Sequence, residues 1–194
     1  MLIHSASQVV TLTETPQRSE ALGELTIIPD GALVLDGEVI AEVGATSDLL
    51  AKYPNEEKLD ASGRAVIPGF VDPHTHLVWA GNRAAEFESR LEGASYMEIM
   101  AAGGGIQSTV NATRAASFDD LLGQTRQHAR NIFTMGTTSA EAKTGYGLEL
   151  GSELKQLEVL LKLDDEGPLE IFPTFLGAHA IPKEYKENPD GYVN

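Results

Sequence analysis

Two histidines separated by one residue, His74 and His76, end the run Val-Ile-Pro-Gly-Phe-Val-Asp-Pro-His-Thr-His that spans residues 66–76. Side chains two apart on a strand point to the same side, with Cα atoms about 6.5 Å apart. His74 and His76 can therefore converge on one divalent ion while Thr75 points away. Neutral imidazole suits zinc, iron and nickel. Three later clusters could complete a site: Trp79-Ala80-Gly81-Asn82-Arg83, Lys143-Thr144-Gly145-Tyr146-Gly147 and Gly177-Ala178-His179. Arg83 offers a planar fork able to hold a carboxylate through two charge-assisted hydrogen bonds, or it is a solvated surface charge. Tyr146, between two glycines, either projects its hydroxyl into a pocket or packs its ring while the glycines serve the turn. His179 reads as a ligand, a proton shuttle or, taken alone and more simply, a capped loop histidine. Lys143 is a charge partner or, more simply, a solvated lysine. The triplet Gly103-Gly104-Gly105 lacks the preceding strand and the following Lys-Ser or Lys-Thr of a phosphate cradle.

The elements that must position these residues change in texture near residue 66. Before it, Ala32-Leu33-Val34-Leu35 and Val39-Ile40-Ala41-Glu42-Val43, separated by Asp36-Gly37, predict a β-hairpin with a positive-φ turn. The first third is mostly β, with a short helix from Ser47 to Tyr53, capped by Thr46 or Ser47 and stopped by Pro54. From there the pattern becomes strand, helix, strand. Strands are expected over Ala65–Val71, Thr137–Ala142 and Leu169–Phe175, with helical material over Ala84–Ala102, Ser117–Met135 and Ser152–Leu163.

Ser95 with Glu98 fits a capping box, Ser117 precedes two acids of a first turn, and Gly136 stands where a C′ glycine belongs. Leu121, Leu122, Ile132 and Phe133, and likewise Leu154, Leu157, Leu160 and Leu161, recur at helical spacing and read as core stripes. Repeated βα units imply a parallel sheet. Polar residues gathered at the C-terminal ends of successive strands are what a (β/α)8 barrel offers, although three strands do not close one.

Composition narrows the class. The chain has 194 residues, 42% of them hydrophobic, enough to bury a core. Four basic residues face eleven acidic ones over 1–66 and ten face eighteen over 67–194, for a net charge of −15. That spread argues against nucleic acid, which needs clustered Lys and Arg, and against membrane attachment. No cysteine is present, so disulfide and thiolate chemistry are excluded. The opening Met-Leu-Ile-His-Ser-Ala lacks the basic and long apolar regions of an export signal. No apolar run reaches about 18 residues. The expectation is a cytoplasmic protein.

Pro-Gly-Phe-Val-Asp-Pro-His-Thr-His resembles the first-strand signature of metal-dependent amidohydrolases. Four longer strings resemble, more narrowly, the imidazolonepropionase family: Leu91-Glu-Gly-Ala-Ser-Tyr96-Met-Glu-Ile, the sixteen residues Ala102-Gly-Gly-Gly-Ile-Gln-Ser-Thr-Val-Asn-Ala-Thr-Arg-Ala-Ala-Ser117, Lys143-Thr-Gly-Tyr-Gly-Leu148 and Thr174-Phe-Leu-Gly-Ala-His-Ala180. The resemblance covers roughly residues 60–185. It implies an α/β fold: strands 1–3 of a TIM-type (β/α)8 barrel over 66–194, preceded by part of a small β-sandwich domain over 1–65. It implies hydrolysis of 4-imidazolone-5-propanoate to N-formimidoyl-L-glutamate in histidine degradation, a cyclic amide opened by metal-activated water.

Under that resemblance His74 and His76 hold zinc or iron, Arg83, Tyr146 and His179 bind the substrate, and Tyr96 is a weaker candidate for the same pocket. The family is about twice as long, so the remaining metal ligands and the general base are expected beyond Asn194, and the chain reads as the N-terminal portion of an enzyme. A homodimer is implied by the family alone. Two other readings stay open: another cyclic amidohydrolase or a deaminase, and a catalytically inactive half-barrel.

Overall fold

Alternating apolar residues on either side of Asp36-Gly37 form the expected hairpin. Strands β2 (Thr26–Asp36) and β3 (Val39–Ala45) pair antiparallel, with Asp36 opposite Val39. The two central residues are thus Gly37 and Glu38, one step later than the sequence suggested, and Gly37 supplies the positive φ of 60° at the first of them. The computed structural model describes residues 1–12, 18–21 and 23–193. It divides into two units, Met1–Pro68 and Gly69–Asn194.

In the first unit β1 (Leu2–Thr11) lies beside β2, and the short strands β4 (Lys58–Asp60) and β5 (Ala65–Val66) add to its other edge in parallel. The sheet order is β3-β2-β1-β4, with β5 also on β1. Helix α1 (Thr46–Lys52) packs Leu49 onto Leu2, Ala32 and Val34. Among the described residues the first unit is this one sheet with a helix against it. Thr46 and Ser47 do not cap α1: its N-cap is Ala45, without a side-chain bond. The Thr46 hydroxyl is spent elsewhere, accepting from the Ser5 amide at 3.0 Å and donating to the Gly31 carbonyl at 3.1 Å.

The strand expected over Ala65–Val71 is interrupted. Residues 65–66 pair with β1, whereas β6 (Phe70–Thr75) starts a different sheet. Pro68 has no N–H to give a ladder, and a Cβ on Gly69 would lie 2.2 Å from the Thr138 hydroxyl oxygen, so the Pro-Gly pair marks the break.

The second unit is a parallel sheet, β6-β7-β8, with β7 at Thr137–Lys143 and β8 at Glu170–Thr174. Parallel neighbours need long crossovers. Here these are α2 (Ala84–Leu91), α3 (Tyr96–Ala101), α4 (Ile106–Ala115) and α5 (Phe118–Thr134) between β6 and β7, and α6 (Leu150–Glu166) between β7 and β8. Ser95 and Ser117 each form a full capping box, with Glu98 and Asp120.

The helical material expected over 84–102 is two helices, the first ended by Gly93 at φ +98°. Helix α4 was not anticipated. On α6 the buried stripe is Ser152, Glu153, Gln156, Val159, Leu160 and Leu163, while Leu154 and Leu161 face solvent. The core joins Leu121, Leu122 and Ala129 of α5 to Val159, Leu160 and Leu163 of α6 and to Ala140 and Ala142 of β7.

Candidate active site

In a parallel sheet all strand C-termini lie at one edge, so the loops after β6, β7 and β8 gather there. His74 lies at the end of β6 and His76 just past it, their ring centroids 5.6 Å apart. The loop after β7 brings the Tyr146 ring to 4.9 Å from His76. The loop after β8 stacks His179 on His76 at 4.6 Å with 16° between the planes, and sets it 5.6 Å from Tyr146. His76 and His179 thus meet one tyrosine at one sheet edge, with His74 beside His76.

Local packing fixes each of these. The segment after His76 buries Leu77 and Val78 in the core, and α4 holds the next turn of chain: the Ala80 amide donates to the fully buried Thr113 hydroxyl at 3.0 Å. Gly81, at φ +81°, comes so near α4 that a Cβ there would lie 2.9 Å from that of Ala112. Trp79 stacks on His128 of α5 at 4.6 Å, and the His128 Nδ1 sits 3.0 Å from the Leu77 carbonyl. His179 Nδ1 lies 3.1 Å from the Gly145 carbonyl. A carbonyl only accepts, so Nδ1 carries the proton and Nε2 of the neutral ring keeps its lone pair.

Arg83 and its neighbours form the rim. A cavity of about 250 Å³ is lined by His76, Trp79, Asn82, Arg83, Thr109 and Tyr146. Arg83 directs Nε and Nη2 onto Glu86 Oε2 at 2.8 and 2.6 Å, which leaves Nη1 and the outer N–H of Nη2 as the edge a carboxylate would meet. Arg83 holds the Glu86 carboxyl below the usual carboxylate range, helped by the Gly105 amide, which donates to Glu86 Oε1 at 3.0 Å. The glycine triplet therefore closes over Glu86 and cradles no phosphate. A larger cavity, about 520 Å³, between α5, α6 and the start of β8, has Arg126, Arg130 and Glu166 on its wall and none of the site's rings.

Two sequence expectations change. Lys143 is not a solvated lysine: it pairs with Glu141, its side chain only 14% exposed. Glu141 also accepts from the Thr174 hydroxyl at 2.7 Å, and Lys143 first, then Thr174, lower its pKa. Tyr96 is 60% exposed on the first turn of α3 and does not line the cavity. Sequence reasoning passed over Glu86 and Glu141. For Glu86 the signal was an acid three residues after an arginine, on one helical face.

Can these residues hold a metal? His76 Nδ1 is buried without a hydrogen-bond partner, as a donor atom awaiting an ion would be. Burial, then the charges of His179 and His74, push the His76 pKa below its ordinary value, so the ring is neutral and able to ligate. No cluster of three or more His, Cys, Asp or Glu side chains is placed for a metal among the described residues. The described chain thus fits as a two-histidine part of a centre, one short of the three protein ligands usual for catalytic zinc.

A model described as "Amidohydrolase family" matches residues 57–144, and one described as "Imidazolonepropionase-like composite domain, bacteria" matches residues 31–55. The solved guanine deaminase from Bradyrhizobium japonicum superposes with a TM-score of 0.53 at 18% identity, over 98% of this chain and 38% of that one. The E. coli guanine deaminase gives 0.51 at 16%, over 89% and 36%. At such identities these two show the fold alone. The amidohydrolase-family model thus matches a little under half of this chain.

Among curated relatives, proteins named imidazolonepropionase from Brevibacillus brevis and Chloroflexus aggregans are 49% and 47% identical, over 99% and 100% of this chain. Along its whole length the chain is thus similar to imidazolonepropionases. It spans about half the length of the curated relatives it matches, 47% and 46% of these two.

Proposed function

We propose that this chain is the N-terminal half of an enzyme that hydrolyses 4-imidazolone-5-propanoate to N-formimidoyl-L-glutamate. The observation that carries the reading is identity of 43–49% along the whole chain to proteins named imidazolonepropionase. The shared cavity of His76, Arg83 and Tyr146 supports it. In this reading β6, β7 and β8 are the first three strands of a (β/α)8 barrel and residues 1–65 are part of the small β domain. The protein works in the cytoplasm, as a homodimer.

His74 and His76 hold one zinc or iron ion, and the remaining ligands and the general base come from the other half of the protein. When bound, such an ion supplies a water that is nucleophilic near neutral pH and a Lewis acid for the ring carbonyl. Water oxygen adds to the ring carbonyl carbon, the ring C–N bond breaks, and the nitrogen leaves with a proton. The chain's own residues place the ring for this step. Arg83 takes the propanoate carboxylate on its outer edge. The Tyr146 hydroxyl and the His179 Nε2 contact the heterocycle above His76. Fixing a planar substrate between two rings and an arginine restricts its approach to the reacting centre, the orientation effect that makes such sites fast.

The test is turnover by the complete, metal-loaded protein of 4-imidazolone-5-propanoate against guanine, cytosine and a hydantoin. Hydrolysis of the first alone is expected, and Arg83→Ala raises its KM by about tenfold or more, the worth of a charge-assisted hydrogen bond. Deamination of guanine in its place, or an unchanged KM in Arg83→Ala, refutes the reaction or the role of Arg83 respectively.

A further inference from the structure

Helix α6 carries a carboxylate where its apolar stripe should continue. Glu153 is 1% exposed and Gln156 is fully buried, in line with Val159, Leu160 and Leu163. Burying a carboxylate costs far more than burying a leucine unless it is well bonded. Glu153 spends one oxygen on the loop after β7: Oε1 accepts from the Gly147 and Leu148 amides, both at 2.7 Å, while Oε2 is buried without a hydrogen-bond partner.

The opposite edge of the same two residues is held by Arg114 of α4. Its Nε donates to the Gly147 carbonyl at 2.5 Å and its Nη2 to the Leu148 carbonyl at 2.9 Å. Its Nη1 is braced on Glu184 at 2.8 Å. Gly147 is thus gripped at both its N–H and its C=O. No larger residue fits: a Cβ at Gly147 would lie 2.7 Å from the Ser152 Cβ and 2.8 Å from the Glu153 amide. Leu148 is held at φ +52°, a conformation that a leucine takes only when its surroundings impose it. One residue upstream, the Tyr146 amide donates to Gln156 Oε1 at 3.4 Å.

We infer that Glu153 and Arg114 are positioning residues for Tyr146: gripping the loop from opposite edges, they fix the tyrosine ring over His76 and His179. The inference rests on the proposed role of Tyr146 at the substrate, but the clamp can be read independently of activity. Neither residue reaches the cavity, so both act through the loop backbone. Glu153 needs only an acceptor oxygen at Oε1, which glutamine also presents.

The experiment records the ring-proton resonances of His76 and His179, which the Tyr146 ring shifts from 4.9 and 5.6 Å, in the complete, metal-free protein. Tyr146→Leu supplies the reference positions without that ring. Glu153→Leu and Arg114→Met are expected to move both histidines toward the reference, and Glu153→Gln to restore the original resonances. In the complete enzyme Glu153→Leu and Arg114→Met raise KM about tenfold, in the direction of Tyr146→Leu.

Unmoved histidine resonances in Glu153→Leu and Arg114→Met overturn the inference. Movement in Glu153→Gln overturns the acceptor role of Glu153. Should Glu153→Leu fail to fold, Arg114→Met, at a partly exposed site, carries the test alone. If the resonances move as expected and 4-imidazolone-5-propanoate is not turned over, the clamp stands and the proposed reaction falls. Turnover with unmoved resonances gives the reverse.

Discussion

Gly145→Ala separates the geometry of the site from the stability of the core. Gly145 has φ +124°, a region that side-chain-bearing residues rarely enter, and an added Cβ would meet His179 Cβ and Nδ1 at 2.8 Å and Cγ at 3.0 Å. Ordinary contact begins at 3.4 Å, so the imidazole must retreat by at least about 0.6 Å, or the loop must. Forcing the backbone costs about 1–3 kcal/mol, and overpacking a similar amount. Yielding in one relieves the other, so the expected loss in urea unfolding is about 2–3 kcal/mol.

The retreat also carries His179 off its 4.6 Å stack on His76 and away from the Gly145 carbonyl. Misplacement of this order, near 1 Å, reduces catalysis by about a hundredfold. The control is Gly123→Ala, on the exposed face of α5 with nothing within 4 Å of the new Cβ. It should stabilise by about 0.5–1 kcal/mol through helix propensity alone. Proton NOEs between the His76 and His179 rings report the stack directly. A Gly145→Ala protein that unfolds with the parent and keeps those NOEs would show that the loop and His179 are not in the contact described.

Leu160→Ala, at a fully buried position of the α5–α6 core, should lower unfolding free energy by about 2–5 kcal/mol and leave the His76–His179 NOEs in place; a loss under about 1 kcal/mol would mean that the core is not packed as described. His76 should titrate below the imidazole value of about 6.5, because burial and its histidine neighbours oppose the charge. With the folded pKa depressed, the unfolded chain binds the extra proton first, so this group's contribution to stability falls as pH drops below about 6.5 and levels off below the folded value. An NMR titration of His76 with its midpoint at or above about 6.5 in the metal-free protein contradicts that environment.

Local signals in the sequence were enough for much of the frame. The β2–β3 hairpin, the box at Ser95, the helix start at Ser117 and the two long helices α5 and α6 follow from turn chemistry, capping and periodicity, all set within a few residues. What escaped depends on partners far along the chain. Thr46 caps nothing because Ser5 and Gly31 engage its hydroxyl, and α6 turns Glu153 inward because a loop offers it two amides. Helix α4 lay within a glycine- and threonine-rich string of poor helix formers, and it is held by packing of the fully buried Val110 and Thr113.

Within the site, the His-x-His spacing on a strand singled out His74 and His76. The meeting of Tyr146 and His179 with them follows from the parallel order of β6, β7 and β8. Glu86 and Glu141 stayed hidden because a carboxylate beside a cation looks the same in sequence on a surface as in a site.

The decisive experiment is a crystal structure of the complete protein with zinc and N-formimidoyl-L-glutamate bound. An anomalous peak is expected within coordination distance of His74 and His76, about 2.0–2.1 Å from each ligating nitrogen. A product carboxylate is expected on the outer edge of Arg83, with Tyr146 and His179 against the rest of the molecule. Metal bound away from this histidine pair, or a carboxylate held elsewhere with Arg83 still on Glu86 alone, would rule out the proposed site.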